Sequence, residues 1–326
     1  MTIGIARLGD CCKIKRVASS DPFLVRFWGV RGSIPTPGPA TRLIGGNTSC
    51  LEVRVGDELL ILDAGSGVRG LGDRLVSEGV RKITFLFSHV HWDHILGFPY
   101  FRPAAQSGVE IVMHGERKAG IGIDEILGYQ AGQAHAPIVV PGKGATLVFD
   151  ELKPGDTVRI GAATVRVARM NHPDGCVAYR VEHEGRAIVY ATDTEHFADG
   201  IDRQLEALSQ DADLLVYDSM YTADEYRGEI GGSKEGWGHS TWNDGVRLAR
   251  KAGVKRFALF HHDPSHDDRF VSRLEKEARQ DFAGALAARE QMVVDVAGGK
   301  VRVPKIAAPA PARAPHAQVA RRARAR

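Results

Sequence analysis

A chain of 326 residues, 43% hydrophobic and 25% charged, suffices for one large globular domain or two ordinary ones. No run of about 18 apolar residues is present, and Arg7, Asp10, Lys13, Lys15 and Arg16 break up the N-terminus, so neither a transmembrane helix nor a secretory signal is expected. The net charge of +3 is set by Arg313, Arg321, Arg322, Arg324 and Arg326 in an acid-free tail; the rest carries −2, which argues against a nucleic-acid-binding face on the body and leaves only non-specific contact by the tail.

Residues 1–21 read as a loose leader. The apolar run Leu59–Leu62 ends in Asp63, and the Gly-rich turn Ala64–Gly67 opens a helix over Val68–Glu78. Ile83–Phe87 is a second buried strand and runs into Ser88-His-Val-His-Trp-Asp-His94. Residues 116–145 are weakly patterned and read as an insertion, lid-like beside a site. Thr164–Met170 alternates as a strand and leads to Asn171-His172. A hairpin turns at His183–Gly185, and Ala187–Tyr190 runs into Ala-Thr-Asp193. Leu214–Tyr217 ends at Asp218. A Gly-rich loop over 231–238 precedes His239 and a helix over Thr241–Ala252, with Ser240 or Thr241 as its cap. Phe257–Phe260 runs into His261, an amphipathic helix is expected over His266–Arg289, and a last strand near Met292–Val296. Residues 306–326, rich in Ala, Pro and Arg, are expected to be disordered. Between leader and tail, 22–305 form one continuous domain. The cysteines Cys11, Cys12, Cys50 and Cys176 form no C-x-x-C pair, which fits a reducing cytoplasm rather than a disulfide framework.

Six strands, distant in sequence, thus end in Asp or His. In layered α/β folds such ends gather along one edge, where ligands bind. His89, His91, Asp93 and His94 fall within six positions, and three imidazoles with a carboxylate at that density point to metal rather than to a His-rich surface loop. His91 and His89 can face one ion, and Asp93-His94 a second one about 3.5–4 Å away.

The run His89-x-His91-x-Asp93-His94, with the later His172, Asp193 and His261, resembles the metallo-β-lactamase superfamily across residues 23–296. The resemblance implies a four-layer αββα sandwich with a dinuclear centre, most often Zn2+, although Mn2+ or Fe2+ suits the same donors. Carried over position by position, His89, His91 and His172 hold one ion, Asp93, His94 and His261 hold the other, and Asp193 bridges both. Asp63 matches the aspartate that braces the site without binding metal. His262 and His266 compete with His261, which is favoured because the apolar run stops at Phe260; Asp267 and Asp268 read as a solvated loop capping the next helix.

Phe27-Trp-Gly-Val-Arg-Gly-Ser-Ile-Pro35, Gly45-Gly-Asn-Thr-Ser49, Ala191-Thr-Asp-Thr194 and Gly238-His-Ser-Thr241 are similar to the phosphodiesterase branch, which contains phosphoribosyl cyclic phosphodiesterases, class II cyclic-nucleotide phosphodiesterases and tRNA 3′-processing endonucleases. The implied reaction is hydrolysis of a small cyclic phosphodiester or nucleotide by a hydroxide bridging the two ions. His239, before a helix N-terminus, would bond a phosphoryl oxygen or protonate the leaving alkoxide, with Asp218 orienting it. Arg31 is a candidate for a substrate anion or an internal ion pair, Asn47 and Glu195 are weaker candidates, and Trp92, Phe98, Tyr100 and Phe101 would stack a base or belong to the core. A long basic tRNA-binding arm is not apparent, so tRNA is the less expected substrate, and a homodimer is left open. The alternatives are the same scaffold hydrolysing a thioester, lactone or lactam, and a non-catalytic metal-bound sensor or interaction protein.

Overall fold

The structure is a computed structural model that describes residues 21–130, 144–198 and 200–304. The expected leader up to residue 20, the tail 306–326 and the 131–143 part of the insertion lie outside the described residues.

In chain order the strands are β1 (Phe23–Gly29), β2 (Cys50–Val55), β3 (Glu58–Leu62), β4 (Lys82–Leu86), β5 (Glu110–Gly115), β6 (Thr146–Glu151), β7 (Thr157–Ile160), β8 (Ala163–Met170), β9 (Cys176–His183), β10 (Arg186–Ala191), β11 (Leu214–Asp218), β12 (Phe257–Phe260), β13 (Ala285–Ala287), β14 (Val293–Asp295) and β15 (Lys300–Arg302). The helices are α1 (Val68–Glu78), α2 (Trp92–Ile95), α3 (Ile123–Gln130), α4 (Arg203–Ser209), α5 (Ala223–Arg227), α6 (Trp242–Lys251) and α7 (Asp268–Asp281).

The strands form two mixed sheets, ordered β15-β14-β1-β2-β3-β4-β5-β6 and β13-β12-β11-β10-β9-β8-β7. Their inner faces meet through Phe23, Val25, Phe27, Leu60 and Leu62 on one side and Val165, Val181, Ile188, Tyr190 and Phe260 on the other. Each outer face is covered by helices. Val68, Leu71 and Leu75 of α1 pack on Ile61, Ile83 and Phe85, whereas Leu205 of α4, Val246 and Ala249 of α6 and Leu274 of α7 pack on the second sheet. The result is the αββα sandwich. Leu214–Tyr217 lies between parallel neighbours with both faces covered, which is why it reads as an unbroken apolar run.

Helix ends follow local chemistry. Gly79 closes α1 in the left-handed conformation, φ 70°, returning its N–H to Leu75 and Val76. Thr241 caps α6 by accepting from the Asp244 N–H. The last helix is shorter than expected, because α7 stops at Asp281. Gly284 then presses so close that a Cβ there would lie 2.4 Å from the Lys255 carbonyl, and Ala285–Ala287 joins β12 as a parallel strand. Leu286 therefore serves the core between the sheets and not a helical stripe. Within the 116–145 region, residues 116–130 are more ordered than the pattern suggests, since α3 buries Ile123 and Leu127 under the first sheet. No helix among the described residues is long and apolar enough to cross a membrane.

Candidate metal centre

Parallel pairing of β3 with β4, and of β10, β11 and β12 with one another, brings their C-terminal ends to one edge. There the side chains form two groups. His89, His91, His172 and Asp193 place a ligand atom each within 4.8 Å of one another, and Asp93, His94, His261 and Asp193 do the same. Asp193 belongs to both. Its Oδ1 lies 3.7 Å from His89 Nε2, while its Oδ2 lies 3.2 Å from His94 Nε2 and 3.3 Å from His261 Nε2. One carboxylate thus turns an oxygen to each group. Asp93 Oδ2 closes the second group at 3.2 Å from both His94 Nε2 and His261 Nε2.

The backbone is held in sparsely populated conformations at this edge. Asp63, Asp193 and His261 have φ of 60°, 52° and 60°. Such strain in non-glycine residues persists only where the surroundings over-determine it. Asp63 shows how. Buried at the end of β3, it accepts from Ser88 N and Oγ, from Tyr190 Oη and from His94 Nδ1, each at 2.7 Å. That fixes the His94 proton on Nδ1 and leaves Nε2 as the free donor atom. Asp174 pairs with half-buried His91 in the same way, at 3.0 Å from its Nε2, which leaves Nδ1 as the free nitrogen. Asp174 was not recognised from the sequence; its place two residues after His172 is the one hint.

The donors fit divalent cations. His89 Nε2 is buried and has no hydrogen-bond partner among the described residues, an arrangement that costs free energy unless a ligand occupies it. Burial, reinforced by neighbouring imidazoles, pushes His89 well below its ordinary range, so it is neutral and ready to ligate. Asp193 is buried too, yet His261, His94 and His89 hold it well below the usual carboxylate range. Burial likewise opposes a cation at His94, but Asp93, Asp193 and Asp63 override it and raise its pKa. The carboxylates thus demand positive charge at the centre, and a divalent ion is the chemistry that supplies it. Asp63→Asn keeps an amide that tolerates the left-handed backbone but loses the charge behind His94. We expect metal affinity to drop by about 10- to 100-fold, measured by competition with a chromophoric chelator.

Next to the two groups stands His239. Its Nδ1 lies 2.8 Å from Asp218 Oδ2 and 4.0 Å from Asp193 Oδ1. Burial works against its cation, but Asp218, with Asp193 and Asp93 behind it, pushes His239 up to about 9. The loop that carries it is clamped by Glu195, which accepts from Gly236 N at 2.8 Å, Gly238 N at 2.9 Å and Tyr226 Oη at 2.5 Å. Gly238 is required there. At φ 83°, a Cβ would meet the His172 ring at 2.5 Å.

With this geometry in view, the β-lactamase superfamily domain matches residues 59–262, well over half the chain. This chain belongs to that superfamily. Ribonuclease Z of Methanosarcina acetivorans is 25% identical over 83% of this chain and 97% of its own length. The metallo-β-lactamase fold protein YhfI from Bacillus subtilis superposes with a TM-score of 0.63 at 22% identity, covering 84% of this chain and 99% of YhfI. Human tRNase Z, short form, gives 0.56 at 19% identity over 84% and 99% of the two chains. The chain is a hydrolase of metallo-β-lactamase fold in the phosphodiesterase branch, and divalent metal ions go with that fold.

Several candidates have other duties in this superfamily member. Among the described residues Arg31 forms no ion pair with a carboxylate. Wholly buried, it donates from Nε to the Gly45 carbonyl and from Nη1 to those of Asp263 and His266, stapling two loops. Asn47 bonds Glu290 and Ser66, away from the metal groups. His262 turns its Nε2 to the Ala288 carbonyl, and His266 pairs with Glu225 at 2.8 Å, so neither joins the cluster. Asp267 caps α7, but Asp268 is not solvated: it is buried and receives the N–H groups of Leu43 and Ile44. Phe98 and Phe101 are core, packed against Phe85, while Trp92 and Tyr100 are exposed.

Proposed function

We propose that this chain hydrolyses a phosphodiester bond in a small cyclic phosphodiester or nucleotide, at a centre for two divalent ions. His89, His91 and His172 would hold one ion, Asp93, His94 and His261 the other, and Asp193 would bridge them. Zn2+ is the expected ion, and the His/Asp donors also accept Mn2+ or Fe2+. Bound there, the ions supply Lewis acidity toward phosphoryl oxygens and a lowered pKa for water.

The observation that carries the reading is the His239–Asp218 pair at 2.8 Å beside the two metal groups. Asp218 holds the Nδ1 proton and leaves Nε2 of a cationic imidazole to bond a phosphoryl oxygen or to give its proton to a departing alkoxide. A phosphodiester is an anion already in its ground state, whereas an amide or lactone becomes anionic only in its tetrahedral intermediate. The Ser33 N–H, bonded to Asp93 Oδ2 at 2.8 Å, and the Thr192 hydroxyl, bonded to Asp193 Oδ2 at 2.6 Å, keep the two carboxylates in place while substrate binds.

A second reading is action on RNA. It is favoured by the likeness to ribonuclease Z, which extends over 97% of that relative. The charge of −2 on the chain without its last five arginines favours the small substrate. Turnover by the metal-loaded protein of bis-p-nitrophenyl phosphate, 2′,3′-cyclic nucleotides, a transfer-RNA precursor, a lactone and a β-lactam separates these readings. Cleavage of the first two and not the others is expected; cleavage of the lactone or β-lactam alone would overturn the phosphodiesterase reading.

A further inference from the structure

The sequence between the metal ligands carries a second message. Trp92 sits between His91 and Asp93, and Val90 between His89 and His91, so these side chains start one Cα step, about 3.8 Å, from three ligands. Val90 packs against the core under the first sheet, but Trp92 turns outward. Trp92 is 69% exposed and Tyr100 50%. Together with Ile95, Pro99, Ile126 and Gln130 they line a cavity of about 400 Å3 between α2 and α3. That size suits a flat ring system, and aromatic walls hold such rings by stacking.

One polar atom in this wall has no hydrogen-bond partner among the described residues. Gln130, at the end of α3, is buried. Its Nε2 donates to the Ile95 carbonyl at 3.1 Å. Since a carbonyl can only accept, this contact fixes which end of the carboxamide is the oxygen. The remaining Oε1 is buried without a hydrogen-bond partner. A buried acceptor left unpaired is costly, and it is commonly satisfied by what binds beside it. The occupant therefore presents an N–H to Gln130 and a flat apolar face to Trp92 and Tyr100.

We infer that this cavity is a base subsite of the hydrolytic centre, which takes a nitrogenous base bearing an amino N–H while the attached phosphodiester lies over His89–His94. The inference rests on the phosphodiesterase reading and adds which substrates of that class are preferred. Phosphodiesters without a base, or with a base that lacks an N–H, reach the same centre but lose this anchor.

The test uses three p-nitrophenyl phosphodiesters that share a leaving group: those of adenosine 5′-phosphate, of unsubstituted purine ribonucleoside 5′-phosphate, and of methyl phosphate. With the metal-loaded full chain, kcat/KM should exceed that of the methyl ester by about tenfold or more for the adenosine ester. The purine ester should lie about five- to tenfold below adenosine. Gln130→Met should bring adenosine and purine together, and Tyr100→Ala should lower both. Equal turnover of all three esters by the unaltered protein would overturn the subsite and leave the phosphodiesterase reading intact. No turnover of any of them would overturn both. The comparison on the unaltered chain decides even if a variant folds poorly.

Discussion

Asp193→Asn is expected to remove the hydrolytic activity together with the metal, and to leave the fold in place. One oxygen of Asp193 faces His89 and the other faces His94 and His261, so a single carboxylate serves both ligand groups. An amide has one acceptor oxygen instead of two equivalent ones, and its NH2 would point at imidazole nitrogens that must stay free to ligate. Ions held by the two groups would then both lose a shared anionic donor. Asparagine is the right probe because the residue sits at φ 52°, where Asn and Asp are tolerated and alanine is strained. Turnover of bis-p-nitrophenyl phosphate should fall on the order of 1,000-fold or more. Metal content measured by elemental analysis should drop from two ions per chain to one or none, while the far-ultraviolet circular dichroism stays unchanged. His91→Ala should act in the same direction through one group alone, since His91 belongs only to the first. Retained turnover by the metal-free variant would refute the assignment. Asp63→Asn differs in kind: it weakens binding by way of His94 and removes no donor atom.

Much of this edge can be read in the sequence because the strand is a periodic object and its end is abrupt. Leu59–Leu62, Phe257–Phe260 and Leu214–Tyr217 are apolar until a single polar residue stops them, and in each case that residue stands at the edge with the others. The supporting residues are less legible. Glu195 acts on the N–H groups of Gly236 and Gly238, and backbone donors leave no trace in residue identity. Arg31 is invisible as a staple because its acceptors are carbonyls of Asp263 and His266, more than 200 positions away. The end of α7 was masked by coincidence: Leu286 continues a helical spacing that the chain has already left at Phe282, φ −144°. Trp92 and Tyr100 could not be told from Phe98 and Phe101 by composition. The difference is which side of a short turn each faces, and only packing decides that.

His239→Gln should separate chemistry from metal binding. If His239 donates a proton to the departing oxygen, its loss matters in proportion to the basicity of that oxygen. An alkoxide leaving group should suffer a fall in kcat of about 100- to 10,000-fold, whereas p-nitrophenolate, which departs without a proton, should suffer little. Both ions should remain by elemental analysis. The arrangement admits one rival. Asp193, Asp218, His239 and His261 also place donor atoms within 4.8 Å of one another, so His239 can be read as a ligand instead. A ligand role predicts loss of metal and an equal penalty for both leaving groups, and that pattern would overturn the acid role. The pH profile gives a further check with a definite sign. Asp218 and the carboxylates behind it raise His239 to about 9 against the cost of burial, so the proton is present at neutral pH and is lost as pH rises. Bound cations oppose the imidazolium and can only bring that limb to lower pH. An alkaline fall in kcat at or below about pH 9 for the alkoxide substrate, absent in His239→Gln, is therefore the expected result. Asp218→Asn should shift the same limb downward, because it removes the anion 2.8 Å from Nδ1 while leaving the imidazole in place.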